Sequence, residues 1–257
     1  MASNEPGAPP PRGAVVALNL ALVLAGLALV LWFCFAQLKF HLQWSVVYEY
    51  RWKLLHGWLT TIALSAVALA GSALLGLFFA LAQRSSFLPL RYLGKIYVEI
   101  IRGTPLLVQI LVFFYVVADA AGLQNRYVAG VLILSFFSGA YITEIFRAGI
   151  ESVGKSQLES ARAIGLTRAQ TYRFVVFPQA IRQILPPLAG QFASLIKDSS
   201  LLYVIGVSEF TAEARSVNAL TYRNFETYIP LAAGYLILTL PISLWTRRLE
   251  RRLGFDT

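Results

Sequence analysis

The chain is poor in charged residues, cysteine and histidine, and each shortage excludes a class of protein. Only 14% of the residues are charged, whereas a soluble domain carries about 25%. The single cysteine, Cys34, excludes a framework of intramolecular disulfide bonds; we expect it to face lipid or to fill a packing gap. The two histidines, His41 and His56, have no partners at ligand spacing, so no metal site is predicted.

The sequence also lacks the elements of nucleotide hydrolysis. It contains no G-x4-G-K-[ST] phosphate loop and no visible nucleophile–base arrangement. We therefore predict that the chain has no catalytic residues and no cofactor of its own. Any ATP hydrolysis must belong to another chain.

Apolar residues are in excess, at 57% of the chain with a mean hydropathy of +0.63, which predicts an all-α integral membrane protein. A helix needs about 20 apolar residues to cross the hydrocarbon core. The first candidate is too long for a signal-peptide core and lacks a cleavage site, so we expect it to be retained. The proline-rich residues 1–13 before it are predicted to be disordered. Six segments are predicted spans: 14–36, 57–82, 96–118, 127–146, 187–207 and 228–246.

The basic residues predict the orientation of these spans. Six crossings put both termini on one side, together with the polar segment 150–182. The flanks on that side carry more than twice as many Lys and Arg as the opposite flanks, so that side is predicted to be cytoplasmic. The net charge of +9 comes from basic residues that lie beside apolar spans. It therefore does not indicate nucleic-acid binding.

Segment 150–182 contains its own start and stop signals for short helices. Residues 156–159 fit the capping box S-x-x-E, and residues 167–170 fit T-x-x-Q. Gly165 between them is placed for the left-handed residue after a helix, and Pro178 is expected to end the second helix. The predicted helices are 157–164 and 168–177.

Residues 159–178 resemble the "EAA" loop of permease subunits of bacterial ABC importers, E-A-A-x3-G-x9-I-x-L-P. The chain departs from it conservatively, at Ser160, Val175 and Phe177. The resemblance implies that this loop couples the chain to a separate ATPase subunit, which binds ATP and Mg²⁺. Local physics alone is equally compatible with an interfacial hairpin that joins two spans. The residues implied in coupling are Glu159, Ser160, Ala161, Gly165 and Pro178.

Three further strings, at 99–109, 140–149 and 196–201, resemble the polar amino-acid permeases of the histidine/glutamine type. The resemblance covers residues 57–252. It implies a five-helix type I importer core in the bacterial inner membrane, with helix 14–36 as an accessory. It also implies a polar amino acid as substrate, an extracytoplasmic binding protein, two ATPase subunits and a second permease copy or paralogue.

Two groups of polar residues are candidates for the substrate path. Glu99 and Arg102 share a helix face and can pair just before Gly103, where we expect the third span to break; Thr104 is then a good N-cap. A broken helix in the membrane favours an anion, but an interfacial kink with a solvated ion pair is the alternative.

The second group begins with Lys197 and Asp198, about ten residues and roughly 15 Å into the fifth span. Ser199 and Ser200 extend this polar patch. Charged residues at that depth favour a functional role, although an ion-pair lock between helices is also compatible. An ion-coupled secondary transporter is the alternative function, but such proteins usually show inverted repeats and paired broken helices. A membrane scaffold is a third possibility, which the charged pair disfavours.

Overall fold

The protein is built from helices throughout the part of the chain that the structure describes. This computed structural model describes residues 13–36 and 42–252, and no strand occurs among them, which confirms the predicted all-α class. The chain divides into two compact units, Met1–Gln43 and Trp44–Thr257.

Among its described residues, the first unit contains one helix, α1, Gly13–Ala36. It coincides with the first predicted span, and its described large apolar side chains are exposed. Its role as an accessory helix stays a prediction. The predicted disordered tail before Gly13 and the side chains of Cys34 and His41 lie outside the described residues.

The second unit begins with the short helix α2, Ser45–Glu49, and the long α3, Arg51–Ala82. Helix α4, Leu88–Gly103, is followed by α5, Leu106–Val112, which a π-helical turn, Phe113–Ala118, extends. The later helices are α6 Arg126–Glu151, α7 Lys155–Ala163, α8 Arg168–Thr171, α9 Phe177–Asp198, α10 Phe210–Thr221 and α11 Asn224–Arg252.

Three helices in the described residues are long and apolar enough to cross a membrane, namely α3, α6 and α11, or four spans if the bent pair α4–α5 counts as one. The predicted number of six is therefore not confirmed. Helix α1 contains the apolar segment Ala17–Phe33. Helix α9 contains Arg182, Lys197 and Asp198, which lower its apolar character.

The predicted break in the third span is present, but its geometry differs from the prediction. Helices α4 and α5 meet at 111° because Thr104 and Pro105 are extended, with ψ of 147° and 138°. Thr104 does not cap α5. Its hydroxyl instead donates to the carbonyl of Ile100 at 2.9 Å, and the Gln109 amide donates to the Thr104 carbonyl at 3.0 Å. The helix before the break begins at Leu88, eight residues ahead of the predicted start.

Helices α3 and α6 form the centre of the second unit through close contact of small residues. A Cβ atom on Gly71 would lie 2.5 Å from the Ser135 hydroxyl, and one on Gly76 would lie 2.5 Å from Cγ2 of Ile142. The Ser135 hydroxyl donates to the Ala68 carbonyl at 3.3 Å. Small side chains let helices approach closely where lipid gives no hydrophobic driving force. This pair is the frame that holds α4 and α9.

Candidate coupling loop and substrate cavity

The first helix of the coupling loop, α7, begins earlier than its sequence predicted. Gly154 is its N-cap, with an extended backbone, and the Gly154 carbonyl accepts a hydrogen bond from the Gln157 N–H at 3.1 Å. Ser156 therefore lies inside the helix, and the predicted capping box of Ser156 and Glu159 is wrong. The backbone at Gly154 is extended, with φ of −60° and ψ of 146°, and α7 begins there without a side-chain cap.

The turn after α7 is as predicted. Gly165 has φ of +80°, a conformation that glycine adopts without steric cost. Its N–H donates to the Arg162 carbonyl at 2.9 Å, and the Leu166 N–H donates to the Ala161 carbonyl at 3.0 Å. These two bonds form a Schellman motif, which fixes the direction in which the chain leaves α7.

The second helix of the loop begins where predicted but does not end at Pro178. The capping box of Thr167 and Gln170 is present in both directions, at 3.4 Å and 2.9 Å. Helix α8 then passes through a π-helical turn, Tyr172–Val176, directly into α9. Pro178 lies in the first turn after this wider stretch, where the missing proline N–H is tolerated. The predicted helix end is therefore wrong, and the loop is continuous with α9.

The residues implied in coupling divide into an exposed and a buried set. The exposed set contains four residues: Glu159, Ser160, Gly165 and Pro178. Ala161 is only 3% exposed and packs inside the loop. The sequence predicts an apolar stripe of Leu158, Ala161 and Ile164 on α7, and of these Ile164 is 76% exposed at the end of the helix. An apolar side chain this exposed on a short helix is suited to a groove on a partner.

A cavity of about 710 Å³ lies between α4, α6 and α9. Arg102, at the end of α4, and Glu144, on α6, both line it and form a salt bridge of 3.5 Å. The Arg102 guanidinium also lies 5.4 Å from the centre of the Tyr141 ring. Glu99 is not the partner of Arg102; it is exposed and lines a neighbouring cavity of about 590 Å³. The expected pairing along α4 is therefore wrong, because α6 offers Arg102 a carboxylate from across the fold.

Glu144 extends this pair into a chain of charges along α6. The Arg147 guanidinium donates to both Glu144 oxygens, at 3.0 Å and 2.7 Å, and to Glu151 at 2.5 Å. Bidentate contact of this kind is among the stronger side-chain interactions. Two amide side chains, Gln183 and Gln191, line the same cavity from α9. The cavity thus presents both signs of charge together with amide groups.

The second predicted group lies elsewhere, at the junction of α9 with a 3₁₀ helix, Ser199–Ile205. Lys197 is exposed, Asp198 and Ser200 are half-buried, and the buried Ser199 donates to the Ile196 carbonyl at 2.7 Å. None of these residues lines the Arg102 cavity. Among the salt bridges of residues 13–36 and 42–252, none involves Lys197 or Asp198. The structure therefore keeps the two candidate groups apart.

The predicted site residues did not include four residues of the Arg102 cavity, namely Tyr141, Glu144, Gln183 and Gln191. The i, i+3, i+7 spacing of Glu144, Arg147 and Glu151 on one helix face is the signal that would have identified Glu144. The glutamines carry no such signal. Their place beside Arg102 depends on the packing of α9 against α6.

The chain was compared with known proteins. The family model for the inner membrane component of binding-protein-dependent transport systems matches residues 72–255. The probable glutamine ABC transporter permease protein GlnM of Bacillus subtilis (strain 168) is 38% identical over 209 residues, 81% of this chain and 97% of the relative. The glutamine transport system permease protein GlnP of Escherichia coli (strain K12) is 36% identical over 213 residues, 82% of this chain and 97% of the relative.

A solved structure gives the same result for the fold. The crystal structure of an amino acid ABC transporter with histidines contains a chain that is 39% identical, with a TM-score of 0.77; the match covers 83% of this chain and all of that one. The chain therefore belongs to the family of inner membrane components of binding-protein-dependent transport systems.

Proposed function

We propose that the chain is the permease subunit of an ATP-driven ABC importer for a polar amino acid. The names of its relatives, which include glutamine and amino-acid transporters, support this substrate class. The family match to binding-protein-dependent systems favours an extracytoplasmic binding protein as partner, and it disfavours an ion-coupled secondary transporter.

The observation that carries the substrate class is the composition of the Arg102 cavity. An amino acid brings a carboxylate and an ammonium group, and the cavity offers a guanidinium from Arg102 and a carboxylate from Glu144. The amides of Gln183 and Gln191 can donate to and accept from an uncharged polar side chain. A volume of about 710 Å³ is sufficient for a small ligand, whose sites span about 300–1,000 Å³. A polar, uncharged amino acid fits this set of groups.

The coupling loop supplies the contact with the ATPase subunits, which hold ATP and Mg²⁺ and carry out the hydrolysis. Glu159, Ser160 and Ile164 are exposed on α7, and we assign the docking face to them. Gly165 and Pro178 act by geometry, since one sets the turn and the other lies where the loop enters α9. A second permease copy or a paralogue completes the pore.

The clustering of basic residues supports an orientation in which both termini and the coupling loop are cytoplasmic. In that orientation α7 lies on the side where ATP is available, and the loop at Gly122 lies outside. The binding protein then delivers the amino acid from outside. ATP binding to the ATPase subunits opens the pore toward that side. Coupling between ATP and substrate is reciprocal.

Reconstitution of the complex of permease and ATPase in vesicles tests this function. Uptake of radiolabelled glutamine with binding protein outside and ATP inside should stop when the ATPase is inhibited, even with ion gradients intact. Uptake that continues on an ion gradient without ATP would contradict the proposal and favour a secondary transporter.

A further inference from the structure

A further pocket, smaller than the two cavities described above, lies beside the coupling loop. It has a volume of about 330 Å³ and lies between α7, α8 and the ends of α3 and α6. Three arginines line it from separate parts of the chain: Arg84 just after α3, Arg162 on α7 and Arg168 at the start of α8. No Asp or Glu is among the described residues that line it. The pocket therefore concentrates positive charge.

These arginines are not compensated by ion pairs within the described chain. The salt bridges there involve Lys53, Arg102 and Arg147 instead. The polar contact found for this set is from the Arg84 guanidinium to the Tyr172 hydroxyl, at 3.4 Å. Guanidinium groups that line one pocket can bind a phosphate in a planar, two-pronged geometry. A phosphate would also relieve the repulsion among them.

The pocket lies on a different face of α7 from the proposed docking face. The docking face on α7 presents Glu159, Ser160 and Ile164 outward. The pocket instead uses the other face of α7 and the ends of the spans, with buried Val153 and Val176 as an apolar floor. A ligand in this pocket therefore leaves the proposed docking face on α7 free for the ATPase.

The segment that supplies Tyr172 has the composition of a membrane interface. It exposes the rings of Phe174 and Phe177, at 62% and 53%, and aromatic rings are enriched at the headgroup level. Arg173 lies over the Phe174 ring at 5.5 Å. A basic pocket in such surroundings is suited to bind the phosphate group of a membrane lipid.

We propose that this pocket binds the headgroup of an anionic phospholipid. The phosphate lies among Arg84, Arg162 and Arg168, which joins the end of α3 to both helices of the loop. The bound lipid thereby holds the coupling loop against the spans, and the anionic lipid content of the membrane becomes a regulator of coupling. The lipid then lies in the cytoplasmic leaflet, an assignment that rests on the proposed orientation, and its effect on coupling rests on the proposed function of the loop.

Native mass spectrometry of the detergent-solubilised complex of permease and ATPase tests the site directly. Dioctanoyl-phosphatidylglycerol is titrated into the wild type and into Arg84→Gln, Arg168→Gln and the double variant. We expect binding to weaken about fivefold for each arginine removed, the factor given by about 1 kcal/mol per basic residue near an anionic surface. Arg84→Lys, which keeps the charge, should recover much of the loss, and this separates the site from a folding defect. The matched control is Arg173→Gln, which removes an equal charge four residues before the exposed Phe177 and outside the pocket lining.

Four results would overturn the proposal. The first is an equal loss in Arg173→Gln, which would indicate unspecific charge. The second is equally tight binding of dioctanoyl-phosphatidylcholine. The third is equally tight binding of glycerol 3-phosphate, which would assign the pocket to a soluble phosphate. The fourth is lipid binding only after the ATPase is removed, which would make the pocket part of the protein contact. None of these results bears on uptake, so the proposed function is tested separately.

Discussion

Arg102 and Glu144 form a salt bridge of 3.5 Å in which the two side chains remain 44% and 24% exposed. A pair this accessible contributes only about 0–1 kcal/mol to stability, so a ligand can replace either partner at little cost. The two residues come from different helices, α4 and α6, which meet at the cavity. Their arrangement is therefore suited to a zwitterion whose carboxylate binds Arg102 and whose ammonium group binds Glu144.

The first prediction concerns this pair. Arg102→Gln and Glu144→Gln should each raise the apparent KM for amino-acid uptake roughly ten- to a hundredfold, because hydrogen bonds to charged groups contribute about 1.5–3 kcal/mol. Uptake into vesicles that contain the whole complex measures the change. Arg182→Gln is the control, since Arg182 is exposed on α9 and does not line the cavity. An equal rise in the control would remove the pair from the substrate path.

The second prediction concerns the end of α9. Lys197→Met and Asp198→Asn should reduce uptake sharply while the permease still retains its ATPase subunits on purification, if these residues act in translocation. Loss of assembly in both variants would support a structural role instead. Normal uptake by both would show that neither role depends on their charge.

The third prediction compares two glycines of one loop. Gly165 has φ of +80°, whereas Gly154 has φ of −60° and ψ of 146°. Gly165→Val should cost about 1–2 kcal/mol or more, because β-branched residues rarely occupy the left-handed region, whereas Gly154→Val is sterically allowed. The first variant should insert normally but lose ATPase subunits on purification, while the second should keep them. Normal uptake by Gly165→Val would make the loop a plain connector.

The fourth prediction concerns orientation. Reporter fusions after residue 85, near residue 160 and at the C-terminus should behave as cytoplasmic. Fusions near residues 45, 122 and 215 should behave as external. An external N-terminus combined with a cytoplasmic readout near residue 45 would be incompatible with the six-span arrangement.

Features set by neighbouring residues were predictable from the sequence. The left-handed Gly165, the capping box at Thr167 and the break after Gly103 each depend on a few consecutive residues, and all three are present. The start of α7 was not predicted, because Gly154 competes with Ser156 for the same role. Local signals of similar strength cannot be ranked without the fold.

Features that depend on packing were not predictable. The helix through Pro178 requires a π-helical turn, which has no clear sequence pattern. The 111° bend between α4 and α5 and the contact of Arg102 with Glu144 arise because α6 lies beside α4. The sequence showed one charged face on α4, but the partner of that face lies on another helix.

The continuity of α8, its π-helical turn and α9 has a mechanical consequence. From Arg168 to Asp198 the chain is helical without a break, over a path of roughly 45 Å at 1.5 Å per residue. One end is fixed to the loop by the Thr167 cap, and the other carries Lys197 and Asp198. Between them, Gln183 and Gln191 face the cavity. If an ATPase tilts the loop slightly, the end of α9 farthest from the loop moves most. The wall of the cavity that α9 forms moves with it.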